Sequence, residues 1–177
     1  MTACFTGHRP NKLGGYNWKS NKNIRIMKAI SKVTKELIEE DVGTFIFGGA
    51  LGVDQMAFSI VSYLKTKKYP NLKLILAIPF ERQPIAWVKG DSVKRYYDQI
   101  NFADLVVQVD TLDKYAFDKV PIGDYHPVKM QLRNRYMVDN SDVVVGIWDG
   151  SSGGTCNCIK YAMKSDKQIR LINLKKL

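Results

Sequence analysis

The sequence predicts an α/β fold: a doubly wound, mainly parallel sheet with helices on both faces. Three observations carry this. Short apolar runs of strand length alternate with segments of helical periodicity along the whole chain. No hairpin signal joins one run to the next, so consecutive strands are separated by crossovers and must run parallel. Glycine-rich turns stand directly after several of the runs, at Gly7, at Gly48–Gly49 and across 149–155. With 177 residues the chain is read as one domain, 1–177, long enough to bury a two-sided sheet.

Taken in order, residues 2–6 form a short apolar strand ending at Gly7–His8–Arg9–Pro10, and a loop rich in Gly, Asn and aromatics follows over 11–20. A helix is expected from Asn21 to Asp41, because Ile26, Ile30, Val33 and Leu37 recur at helical spacing, with Gly43 ending it. Residues 44–47 are the second strand, and Gly48 to Asp54 a glycine loop leading into a helix that buries Ala57, Ile60, Val61 and Leu64. The third strand runs from Leu72 to Ile78 and is closed by Pro79–Phe80. A helix carrying Trp87, Val88, Tyr96, Tyr97 and Ile100 is expected after Pro84, with a break near Gly90. The fourth strand is 104–109. Residues 110–127, with Pro121, Gly123 and Pro127, read as an irregular lid or pocket wall. A helix over 128–140 leads to the fifth strand, and 167–174 is a last short strand.

Composition narrows the function classes. No apolar stretch approaches a membrane span, and the start of the chain lacks a basic region followed by a long apolar run. A cytoplasmic protein with no membrane partner is therefore expected. Three cysteines give no disulfide framework. Cys156 and Cys158, two apart on a helix, face different sides and make a poor metal pair, so neither metal nor cofactor is expected. The net charge of +10 suits an acidic ligand or nucleic acid, yet lysines spread through nearly every helix also describe an ordinary basic surface.

The most informative stretch is 142–163. Val143 to Trp148 is apolar and β-branched without alternation, as a buried strand requires. Asp149 to Thr155 breaks it with turn formers, and a helical pattern resumes through Ile159, Ala162 and Met163. Strand, glycine loop and helix in that order gather free N–H groups and the positive helix end at one point, which suits a phosphate; an ordinary tight turn uses the same residues. In a doubly wound sheet the ligand sits beyond the carboxyl ends of the strands, where all these loops gather.

Four landmarks in order, TGHRPNKLGGY at 6–16, FGGALGVDQMA at 47–57, IPFERQPIAW at 78–87 and YHPVKMQLRNRYMVDNSDVVVGIWDGSSGGTCNCIKYA at 125–162, resemble the SLOG superfamily, in its YpsA-like or YoqJ-like branch. The resemblance covers nearly the whole chain. It implies a Rossmann-like sheet and recognition of a nucleotide or nucleotide-derived ligand such as an ADP-ribose derivative. Relatives include phosphoribohydrolases that make cytokinin-type bases, the DNA-processing protein DprA, and sensor domains of bacterial and phage-conflict systems. It also implies a homodimer. In YpsA-like proteins a Gly-x-acid position belongs to the ligand site, and Gly52 and Asp54 match it. In the phosphoribohydrolases an arginine four residues before a methionine aids catalysis, which Arg133 and Met137 match. Their glutamate three residues after the loop threonine is absent: Cys158 stands there.

The residues themselves leave paired readings. Gly48, Gly49 and Gly52 either let backbone approach a ligand or allow close helix–strand packing. Asp54 either caps a helix or accepts a ribose hydroxyl bond. Arg9 is placed to pair with a phosphate, as a surface arginine or as a ligand, and His8 to hydrogen-bond a base or phosphate. Phe80, Gln83 and Trp87 together offer an aromatic face and an amide for a base, although core packing competes for Trp87. Arg133 is expected to reach anions in the loop of Asp149, Gly153, Gly154 and Thr155. The expected function is nucleotide binding for sensing or sequestration, without a catalytic residue. Two alternatives stand beside it: N-glycosidic hydrolysis of nucleoside monophosphates, with Asp149 or Asp54 replacing the missing carboxylate, and DprA-like binding of single-stranded DNA.

Overall fold

Six strands and five α-helices alternate among the described residues, 1–87 and 90–177 of a computed structural model. They are β1 (Thr2–Gly7), α1 (Asn21–Glu39), β2 (Thr44–Phe47), α2 (Val53–Lys67), β3 (Lys73–Ile78), α3 (Asp91–Phe102), β4 (Leu105–Gln108), α4 (Pro127–Asp139), β5 (Val143–Trp148), α5 (Gly154–Lys164) and β6 (Gln168–Asn173). The sheet order is β4-β3-β2-β1-β5-β6 and every pairing is parallel. This is the expected Rossmann-like, doubly wound α/β fold. The chain works outward from β1 to β4, returns to the centre, and continues through β5 to β6 on the other side. The direction reverses between β1 and β5, with Phe5 opposite Val145 and Gly7 opposite Ile147. A crevice opens at such a reversal because neighbouring crossovers leave to opposite faces.

Alternation along the strands builds the two halves of the core. Ala3, Phe5, Phe45, Phe47, Val143, Val145 and Ile147 face a cluster closed by Ile26, Ile30 and Leu37 of α1, Met56 and Val61 of α2, and Tyr96 of α3. Cys4, Ile46, Ala77 and Val144 face the other way, against Met137 and Val138 of α4 and Cys158 and Ala162 of α5. Both faces of the central strands are thus buried, which is why their sequences lack polar alternation.

Two local expectations change. The first helix stops at Glu39, and Gly43 does not end it. Asp41 takes the left-handed turn (φ 64°), and the Val42 N–H closes back on the Leu37 carbonyl at 2.9 Å. A short polar side chain tolerates that conformation, so no glycine is needed. The stretch expected as a helix after Pro84 with a break near Gly90 begins as a 3-10 turn at Gln83–Ala86, and α3 starts beyond Gly90 (φ 138°), where the break is expected. Val88 lies outside the described residues. The 110–127 segment, expected as an irregular lid or pocket wall, is pinned in place. Lys129 Nζ donates to Asp110 Oδ2 (2.8 Å) and to the Pro121 carbonyl (2.7 Å), and Asp110 Oδ2 also accepts from the Gly123 N–H (2.8 Å). Lys129 and Asp110 side chains are each 1% exposed, so a buried ion pair fastens this wall to α4.

Candidate functional site

A cleft of about 560 Å³ opens at the carboxyl edge of the sheet, over the β1–β5 reversal. Its volume falls within the roughly 300–1,000 Å³ typical of small-molecule sites. One side is the end of the loop after β5, from Ser152, and the start of α5, where Gly153 (φ 136°) precedes the first turn and no side chain caps it. That turn carries no acidic residue, so its leading N–H groups and the positive helix end face the cleft beside Gly153, Gly154 and Thr155. Lys12, from the segment after β1, lies on the same side, its Nζ reaching Ser151 Oγ at 2.5 Å, and Arg9 lines the cleft where its backbone passes Gly52. The opposite side is apolar: Phe80 and Trp87 after β3, and Tyr125 from the pinned wall, whose ring meets Phe80 edge-on at 5.7 Å. The Trp87 ring packs edge-on against buried Tyr96 at 5.4 Å, so it serves core and cleft together. Gln83 is buried at the floor, its Nε2 donating to the Gly48 carbonyl at 3.3 Å.

Under the cleft lies a buried ion pair. Arg133 comes from the second turn of α4 and Asp54 from the first turn of α2, with Nη1 3.7 Å from Asp54 Oδ2. Arg133 also donates to the Gly48 carbonyl and, through Nε, to Asn134 Oδ1 at 3.0 Å. Burial pushes the Asp54 carboxyl above its ordinary range, opposed by the guanidinia of Arg133 and Arg9. Burial likewise lowers the Arg133 guanidinium, opposed mainly by Asp54. Asp54 is not a helix cap. Gly52 occupies the cap position, and Asp54 Oδ2 instead accepts from the Ala50 N–H at 3.1 Å, closing the glycine loop on itself.

A second pair ties β1 to β5. His8 Nε2 lies 2.6 Å from Asp149 Oδ1, and that oxygen also accepts from the Ser151 N–H (2.9 Å) and Oγ (2.5 Å). These donors, Ser151 ahead of His8, hold the Asp149 carboxyl well below the usual carboxylate range.

Eleven of the fifteen residues singled out from the sequence thus meet on one cleft: Gly7, His8, Arg9, Asp54, Phe80, Gln83, Trp87, Arg133, Gly153, Gly154 and Thr155. Gly48, Gly49, Gly52 and Asp149 do not line it. The space above Gly48 is filled by the Arg133 guanidinium, and a side chain on Gly49 would meet Tyr96 and Gln83. A side chain on Gly52 would overlap the His8 carbonyl, so this glycine lets two loops touch. Asp149 lies behind His8. Arg133 turns toward the 48–54 loop, not toward 149–155, because the Gly48 carbonyl and Asp54 claim it. Cys158, at the position expected of the phosphoribohydrolase glutamate, is buried, and burial pushes its thiol up to about 11.

Sequence reasoning missed Lys12, Tyr125, Met130, Gln131 and Asn134, which also line the cleft. Pro127, Met130, Gln131 and Asn134 follow the i, i+3, i+4, i+7 stripe of one helix face, a signal visible once that helix starts at Pro127.

Among solved structures, the chain is similar to DNA processing protein A from Streptococcus pneumoniae, with a TM-score of 0.61 and 18% identity, covering 96% of this chain and 49% of that one. It is also similar to DNA processing protein A from Helicobacter pylori, described for its single-stranded DNA binding mode (TM-score 0.58, 18% identity, 97% and 64% coverage). The chain thus spans half to two thirds of those proteins and shares their fold. Among sequences, it is 41% identical over 148 residues to the SPbeta prophage-derived protein YoqJ of Bacillus subtilis strain 168, covering 83% of this chain and 85% of that protein. A UPF0398 protein of Halalkalibacterium halodurans is 30% identical over 173 residues, covering 95% and 85%. None of the described helices is long and apolar enough to cross a membrane. The family model of the YspA SLOG proteins matches residues 3–177, and the chain belongs to that YpsA family.

Proposed function

We propose that the cleft binds a nucleotide or nucleotide-derived ligand for sensing or sequestration. The observation that carries this reading is the division of one cleft into an anion-accepting side and an aromatic side at the sheet's reversal point. The phosphate lies against the uncapped start of α5 at Gly153, Gly154 and Thr155, with Arg9 and Lys12 supplying charge. Arg133 contributes less than its position on α4 suggests, since its guanidinium already serves Gly48 and Asp54. The base lies between Phe80, Trp87 and Tyr125, with Gln83 at the floor.

Hydrolysis of an N-glycosidic bond is the weaker reading. Cys158 supplies no carboxylate, Asp149 is engaged by His8 and Ser151, and Asp54 is paired with Arg133. The same experiment separates the two. The protein is mixed with AMP, ADP, ATP, NAD, ADP-ribose and cyclic nucleotides, melting temperatures are recorded, and the samples are chromatographed. A raised melting temperature with intact ligand is expected, because a ligand bound only by the folded state stabilises it. Arg9→Ala removes charge-assisted bonds of about 1.5–3 kcal/mol, so affinity falls roughly 10- to 150-fold while the unliganded melting temperature holds. Released base marks a hydrolase, and the absence of any shift across the panel removes the binding reading. A homodimer is proposed from the superfamily resemblance alone, and sedimentation velocity tests it.

A further inference from the structure

His8 stands where three loops of the carboxyl edge meet, and it is held at both ends. Its carbonyl accepts from the Val53 N–H at the start of α2 (3.2 Å), and its ring Nε2 lies 2.6 Å from Asp149 Oδ1. Ser151 Oγ and N–H also bond that oxygen, and together with the ring they keep the Asp149 carboxyl well below the usual carboxylate range, hence ionised. An ionised carboxylate only accepts, so Nε2 carries a proton. The Asp149 N–H, 3.4 Å from the same nitrogen, therefore finds no lone pair there.

This leaves Nδ1 for the cleft that His8 lines. Nδ1 makes no hydrogen bond among the described residues. Gln83 Oε1, also without a partner, is sealed from solvent, whereas Nδ1 is not. With Nε2–H fixed on Asp149, the charge of the ring decides what Nδ1 offers. A neutral ring presents a lone pair, which repels an anion; a protonated ring presents an N–H and a positive charge. The surroundings suit an anion here. Gly153, Gly154 and Thr155 bring the leading N–H groups of α5 to the cleft, and Lys12 Nζ is bonded to Ser151 Oγ beside Asp149.

We propose that His8 is a proton-controlled anion ligand: the cleft holds a phosphate group tightly only when the His8 ring is charged and donates through Nδ1. The identity of the anion rests on the nucleotide reading; the addition is that binding is coupled to uptake of one proton. Asp149 faces the ring from the loop after β5, and Arg9 and Lys12 follow it in its own segment. Asp54 of α2 lines the same cleft, paired with Arg133 of α4. Asp54 is the rival proton carrier, because neutralising it also favours an anion.

The test titrates sulfate, whose charge is constant where histidine titrates, at about pH 7.5 and about pH 5.5, on either side of the ordinary histidine value of about 6.5. Calorimetry compares the intact chain with His8→Gln, which keeps an amide N–H for Asp149 but takes up no proton. Sulfate is expected to bind about tenfold tighter at the lower pH, as a single charge-assisted bond supplies, and equally at both in His8→Gln. Magnetic resonance of the rings needs no variant to fold: sulfate should move the His8 signals toward the charged form and leave those of His126, the only other histidine, in place. ADP-ribose, whose phosphates have no second ionisation, is titrated alongside. Equal sulfate affinity at both pH values overturns the proposal. A rise that survives in His8→Gln also overturns it and makes Asp54 the proton carrier. Sulfate that binds at neither pH, or without moving the His8 signals, overturns it as well; ADP-ribose that then binds equally at both leaves the nucleotide reading standing without the switch. Sulfate behaving as expected while ADP-ribose binds at neither pH supports the His8 switch and counts against the nucleotide reading.

Discussion

Replacing Lys129 by Met tests whether the buried ion pair holds the cleft's outer wall. Lys129 Nζ bonds Asp110 Oδ2 at 2.8 Å and the Pro121 carbonyl at 2.7 Å, and both side chains are almost fully buried. The methionine fills the aliphatic space but donates nothing. Asp110 is then left with Gln108 Nε2 (2.9 Å) and the Gly123 N–H (2.8 Å) as neutral partners for a buried charge. Removing one member of such a pair costs about 3–5 kcal/mol. For a chain of this length that corresponds to a fall in melting temperature of roughly 6–20 °C. Urea unfolding read by circular dichroism measures the loss directly. Adding Asp110→Asn to Lys129→Met should cost much less than Asp110→Asn alone, since the partner is already gone and the pair is strongly coupled. A loss below about 1 kcal/mol, or additive single and double variants, would refute the reasoning. The pair would then be an interaction on which the wall does not depend.

Two further perturbations address the loops around the cleft. Asp149→Asn should flatten the acid limb of a stability-against-pH curve. The folded-state carboxyl titrates below the unfolded value of about 3.9, so its stabilisation is complete above that pH and is lost as pH falls toward the folded value. An unchanged acid limb in chemical denaturation at several pH values would mean that Ser151 and His8 do not hold this carboxylate. Gly52→Ala should destabilise by about 2 kcal/mol or more, since φ is +92° and the new Cβ meets the His8 carbonyl of a neighbouring backbone. Gly15→Ala, at φ +74° with nothing within 4 Å, isolates the conformational part and should cost less. Equal losses in thermal melts would show that the close approach of the two loops carries no energy.

Much of the architecture was legible in the chain because the signals are local. The boundaries of β2 and β5 follow from apolar, β-branched runs bounded by glycine and polar turns, and those runs are buried on both faces. Arg9, Phe80 and the 153–155 turn could be brought to one edge from sequence alone, since parallel strands put all their carboxyl-end loops on the same side. The end of α1 was less legible. Asp41 and Gly43 can each supply a left-handed turn, and the choice depends on where Val42 packs.

What only the tertiary structure decided are the partners of groups distant in sequence. Spacing put Arg133 on a helix face near a phosphate loop, but the sheet order brings α4 over β2, where the Gly48 carbonyl and Asp54 are closer and claim its charge. The same holds for Asp149 with His8, 141 residues apart, and for Lys129 with Asp110 across the irregular wall. Arg135, Lys160 and Lys164 likewise read as scattered surface charge until α4 and α5 lie side by side and put them on one groove. Periodicity and turn chemistry act over a few residues and determined the elements and their edge. The pairing of charges depends on distances across the sheet, which no stretch of the chain contains by itself.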